Sequence, residues 1–119
     1  MTSIADVIRQ CEKTASWYGV QITSLEARNH LGDTPLHTVC TWGDVSAVKT
    51  LLEAGANVNA RGDMDGGPLF NAVISGNADV IRILLENGAD RTMVNNWGIT
   101  PLQYAQNINA PKKILELLD

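Results

Sequence analysis

Apolar side chains in this chain come in short clusters at helical spacing, separated at regular intervals by small and polar residues. Val45, Val48, Leu51 and Leu52 lie three, six and seven positions apart, which puts them on one helical face. Ala78, Ile81, Leu84 and Leu85 repeat that face, and Leu117-Leu118 repeats its end. A shorter apolar run opened by proline precedes each cluster: Pro35-Leu36, Pro68-Leu69 and Pro101-Leu102. The prolines are 33 residues apart, as are Gly43 and Gly76, and Gly55-Ala56 and Gly88-Ala89. A fixed period of this length marks stacked supersecondary units, whose surfaces usually serve binding rather than catalysis.

Each unit reads as turn, short helix, turn, longer helix and loop. Thr34 and Thr100 can cap the first helix with a hydroxyl, and the following proline supplies a fixed φ where no amide donor is needed. Gly43 and Gly76 stop that helix in a left-handed conformation, and Asn109 takes the corresponding place in the third unit. Gly55 and Gly88 end the second helix. The run from Ala56 to Asp63 then predicts an extended arm and a projecting hairpin.

Gly32-Asp33-Thr34-Pro35-Leu36-His37, then Gly43-Asp44, then the ten residues from Leu51 to Ala60 resemble the ankyrin repeat pattern almost throughout. The resemblance covers roughly 29 to 119, in units 29–61, 62–94 and a truncated 95–119. It implies an all-α repeat solenoid of antiparallel helix pairs, with hairpins projecting to one side and a concave face lined by hairpins and first helices. It also implies a non-enzymatic protein that binds another protein through that face.

Residues 1–28 fit the period less well. Ile4, Val7, Ile8, Cys11 and Ala15 form one apolar stripe, which predicts a helix from about Thr2 to Trp17. Ala27-Arg28 then stands 33 residues before Ala60-Arg61, so this segment is expected to be a modified N-terminal cap. At the other end the chain stops at Asp119 without a further hairpin, and the expectation is a small, self-capped protein that is a monomer when free. In the middle unit Gly67 replaces the capping threonine and Phe70 replaces the histidine. That unit is expected to be the weakest locally, either through simple divergence or because its finger is shaped for a partner.

Composition narrows the function classes. With 119 residues, 45% hydrophobic and 18% charged, the chain has the material for one ordinary globular domain. The net charge is -4, and the basic residues are scattered from Arg9 to Lys113 with only Lys112-Lys113 adjacent, which argues against nucleic acid. Neither a secretory signal nor a membrane-spanning run is legible. Cys11 and Cys40 sit in apolar helical patterns and read as core thiols, so a reducing cytoplasm is the expected compartment.

Chemical motifs are weak. Asp63-Met64-Asp65-Gly66 would be a calcium loop only with Arg61 at the first ligand position and Ala72 at the last, so the bidentate acid is missing. Arg61-Gly62-Asp63 spells an adhesion tripeptide but reads better as hairpin-turn chemistry. His30 and His37 lack partners at zinc-ligand spacing, and His37 within the repeat motif suits a structural hydrogen-bonding role. No phosphate loop or nucleophile–base signature is present, so the expectation is no catalytic residue, no metal and no cofactor.

Subtracting the residues that the repeat explains leaves a set free for a partner. At the finger tips these are His30, Leu31 and Asp33, then Asp63, Met64 and Gly66, then Asn96, Trp97 and Ile99. At the ends of the first helices they are Thr41 and Trp42, Ile74 and Ser75, and Asn107 and Ile108. Leu31, Met64 and Trp97 share one place in successive units, and Trp42, Ser75 and Ile108 share another. Contiguous exposed apolar rows of this kind mark interaction sites. The other reading is that Trp42 and Trp97 pack between units and fill the stack. The narrower functional expectation is a blocking protein, of the immunity-protein or antitoxin kind, that neutralises an enzyme or toxin; the alternative is a structural adaptor in a larger complex.

Overall fold

The computed structural model describes residues 2–119. Its α-helices are α1 (Ile4–Glu12), α2 (Pro35–Trp42), α3 (Val45–Glu53), α4 (Pro68–Ser75), α5 (Ala78–Glu86), α6 (Pro101–Asn107) and α7 (Lys112–Leu118). Helices α2, α4 and α6 stack in one layer and α3, α5 and α7 in a second, so the fold is an all-α repeat solenoid. In the first two units the second helix is barely the longer one, at nine residues for α3 and α5 against eight for α2 and α4, and in the third α6 and α7 have seven each. Gly55 (φ 98°) and Gly88 (φ 91°) follow them in the left-handed region, where a side chain would be strained.

Helix starts follow the cap chemistry. The Thr34 hydroxyl accepts from the His37 amide, and Nδ1 of His37 accepts from the Thr34 amide (3.2 Å). Thr100 and Gln103 make the same reciprocal pair at α6. Gly67 has the same backbone (φ -79°, ψ 171°) as Thr34 (φ -84°, ψ 169°), yet no side chain caps α4. Gly43, Gly76 and Asn109 are all left-handed at the ends of the first helices, as expected.

The second-helix faces are rotated slightly from the sequence pattern. Ala47, Val48 and Leu51 are buried in α3, and Val80, Ile81 and Leu84 in α5, whereas Val45, Leu52, Ala78 and Leu85 are only partly covered. Helix α3 lies between α1 and α5, and α5 between α3 and α7, so the covered face includes both flanks. Each fully buried Val or Leu contributes about 1.5–3 kcal/mol by leaving water.

The N-terminal helix is shorter than its stripe suggests. Thr14 turns extended (φ -85°, ψ 157°) and donates its hydroxyl to the Cys11 carbonyl (2.7 Å), closing the end of α1. A 3-10 turn, Ala15–Trp17, follows and drives Trp17 into the core, where Nε1 donates to the Thr38 hydroxyl (2.9 Å). Val7 and Cys11 are buried, while Ile4 and Ala15 of the stripe are exposed. Helix α1 packs on α3 and α2 and so joins the stack. Cys11 and Cys40 are free and buried, and burial pushes the Cys11 thiol up to about 12 and raises Cys40 as well, so both are inert apolar fillers. Among the described residues no helix is long and apolar enough to cross a membrane.

Candidate functional site

No strand forms among the described residues; each projecting finger is closed by a tight turn with a backbone bond across its base instead of a ladder. The amides of Asn29, Gly62 and Asn95 donate to the carbonyls of Asp33, Gly66 and Ile99 at 2.9, 2.8 and 3.0 Å. In the outer fingers an asparagine side chain holds the tip. Asn29 Oδ1 accepts from the amides of Leu31 and Asp33 (2.9 Å each), and Asn95 Oδ1 from those of Trp97 (3.0 Å) and Ile99 (3.3 Å).

Arginines link each finger to the next. Arg28 donates to Gly32 O of its own finger (3.0 Å) and to Arg61 O of the next arm. Arg61 repeats this with Asp65 O and Val94 O, both at 2.9 Å. The adhesion-like tripeptide is therefore occupied structurally at its first residue, and its glycine lies against Asp33 and His37.

Gly62 has no side chain to hold the middle finger, and the preceding unit supplies the anchors. Asp33 Oδ1 accepts from the Asp63 amide (2.8 Å), and His37 Nε2 donates to Gly66 O (3.0 Å). Burial holds the His37 ring below its ordinary range, against the opposing pull of the Asp33 carboxylate. Asp33 thus departs from the surface expected of it: it is 7% exposed and spends its carboxylate inside the stack. Gly66 is buried as well, against Phe70. The middle tip also carries two non-glycine residues in the left-handed region, Met64 (φ 57°) and Asp65 (φ 60°), where Asp65 stands in the place of Gly32 and Gly98. Such residues store about 1 kcal/mol or more each and cluster at functional sites.

The remaining candidates face solvent. Leu31 is 55% exposed, Met64 52% and Trp97 64% along the finger row; Trp42 is 42%, Ile74 55% and Ile108 46% at the ends of the first helices. Those six are among nine exposed large apolar side chains in the described residues, the others being Ile4, Tyr18 and Val94, so exposed apolar area is concentrated on the fingers and first helices. Trp42 and Trp97 are not wedged in the stack. His30, Thr41, Asp63, Asn96 and Asn107 are exposed, and Ser75 and Ile99 are half-buried. Some also have structural partners: His30 Nε2 lies 2.6 Å from Tyr18 O, and the Thr41 hydroxyl accepts from Asn71 Nδ2 (2.9 Å).

Between the middle finger and the first helices the structure adds a groove of about 110 Å³. Met64 and Ile74 form its rim, and Phe70, Asn71 and Tyr104 line it. Phe70 and Tyr104 meet edge to face, with ring centroids 5.9 Å apart and planes at 63°. These three lining residues were not among the sequence candidates. Phe70 in the place of histidine was the visible signal, and Asn71 and Tyr104 occupy the place that Thr38 fills in the first unit. Among the described residues no three His, Cys, Asp or Glu side chains converge as a metal site requires.

A family model of ankyrin repeats in three copies matches residues 11–93, and a second, of ankyrin repeats in many copies, matches residues 69–118.

Proposed function

This chain belongs to the ankyrin repeat family, whose members are generally non-enzymatic protein–protein interaction modules, and we propose that it occupies one protein partner through its concave face and acts by blocking it. The observation that carries this reading is the concentration of exposed large apolar side chains on finger tips and first-helix ends. A partner that buries Trp97, Met64 and Ile74 gains aromatic and aliphatic anchors of the kind whose truncation costs about 2 kcal/mol or more. The proposed partner is an enzyme, and the narrower form of the proposal is an inhibitor of the immunity-protein or antitoxin kind. The sites His30, Leu31, Thr41, Trp42, Asp63, Asn96, Asn107 and Ile108 make up the rest of the proposed contact face, with Ser75 and Ile99 at its edges.

The test is a paired capture from native lysate with the tagged chain and with an Ile74→Asp, Trp97→Ala variant. The proposal expects one stoichiometric enzyme with the first and none with the second, and loss of that enzyme's activity when the chain is added. Several scaffold components instead of one enzyme would favour the adaptor. Equal recovery by both proteins would move the contact off this face.

A further inference from the structure

The groove beside the middle finger has a chemistry specific enough to name what enters it. Its walls are mostly apolar, from Met64, Phe70, Ile74 and Tyr104, with Asn71 and Asn95 as the neutral polar members, and its size of about 110 Å³ is the second constraint. An apolar cavity of about 150 Å³ takes a benzene ring, so this smaller groove suits a single aliphatic side chain. Asp63 is the one charged residue in the lining. Its amide is held by Asp33, its side chain is exposed, and among the described residues no cation is paired with it. The neighbouring Asp65 differs, because Arg61 lies 3.3 Å from its carboxylate. The rim is also backbone-strained at Met64, which stands against the next finger through the bond from the Asn96 amide to Met64 O (2.9 Å).

We propose that this groove is the specificity pocket of the concave face, taking one aliphatic side chain of a protein partner whose neighbouring Lys or Arg pairs with Asp63. The inference rests on the concave-face reading and adds the partner's chemistry to it. The aliphatic group displaces water from the Phe70–Tyr104 floor, which supplies affinity without charge. The cation then selects register and orientation, because an acidic neighbour would meet Asp63 with like charge.

A display library of random dodecapeptides, selected on the full chain, tests this without a known partner. Selected peptides should share Leu, Ile, Met or Val with Lys or Arg one or two positions away. Ile74→Asp should weaken them about tenfold or more, as loss of an anchor contact does. Asp63→Lys should weaken them about fivefold or more, and a fresh selection on that variant should return Asp or Glu beside the same aliphatic residue. Both substitutions are at exposed positions, and a melt of each variant verifies folding. Peptides without the aliphatic–basic pair, or peptides weakened by Trp42→Ala but indifferent to Asp63→Lys, would overturn the pocket while leaving the concave face intact. Binders that no concave substitution affects, or a library that yields none, would count against both.

Discussion

Gly62→Ala is the sharpest test of how the units are joined, because a single methyl group would enter the contact between the first unit and the middle finger. A Cβ there would fall inside the contact distance of Asp33 Oδ1, 2.7 Å from His37 Nε2 and 2.9 Å from His37 Cδ2. Its φ of -120° is not left-handed, so the effect of the methyl group is read from these contacts. Asp33 and His37 are both buried and both committed, one to the Asp63 amide (2.8 Å) and the other to Gly66 O (3.0 Å). Making room therefore breaks at least one of these bonds. Overpacking costs about 1–3 kcal/mol, and a lost hydrogen bond costs about 1 kcal/mol, more where a carboxylate is the acceptor. The sum is about 3 kcal/mol, or roughly 12 °C in melting temperature for a chain of this size. Gly88→Ala is the control: its φ is 91° but nothing lies within 4 Å, so it should cost only about 1 kcal/mol, from backbone strain. On an Asp33→Ala background Gly62→Ala should cost at least about 1 kcal/mol less than in the parent, because the obstructing carboxylate is gone. Thermal and urea melts of the four variants read this directly. A cost for Gly62→Ala below about 1 kcal/mol, or strict additivity with Asp33→Ala, would refute the packed junction.

Other outcomes follow from the same contacts. His37 is held neutral by burial, so its contribution is whole above the unfolded ring's value near ~6.5 and is lost as pH falls through the lower folded value. Melts across pH 4–8 should show that loss in the parent and a smaller one in His37→Gln, which also loses about 1 kcal/mol at neutral pH with the bond to Gly66. Gly67→Thr should stabilise the fold by roughly 0.5–1 kcal/mol, since the backbone already has cap geometry and the new Cβ meets the end of the unbranched Met93 side chain (3.0 Å) and, at ordinary contact distance, Ala60 O (3.9 Å); a destabilised variant would show that Met93 cannot yield. Trp97→Ala should change stability by less than about 1 kcal/mol, given its exposure, and Trp42→Ala by more, since over half of that side chain is covered, while each weakens the partner complex by about 2 kcal/mol or more. Calorimetry of the captured complex beside a melt of each variant separates the two effects.

Much of this architecture was legible in the order of residues because it depends on local chemistry repeated at a fixed interval. Threonine and proline start a helix, and glycine or asparagine ends one, whatever lies across the stack; Thr34, Thr100, Gly43, Gly76 and Asn109 all behave so. The period also identified which side chains share a place in successive units, and exposure of Leu31, Met64, Trp97, Trp42 and Ile108 follows from that register. Register cannot tell where a side chain points when adjacent units differ. Asp33 turns inward because Gly62 leaves space and, unlike Asn29 and Asn95, has no side chain to hold the tip amides, whereas Asp63, in the place of His30, stays outside. The break of α1 at Glu12 depends on Trp17 finding Thr38, 21 residues away. The groove exists because Phe70, without the ring nitrogens of His37, packs on Tyr104 from the next unit. Periodicity determined the units and their caps, while contacts between unlike neighbours, which no single unit contains, decided which residues became core, anchor or surface.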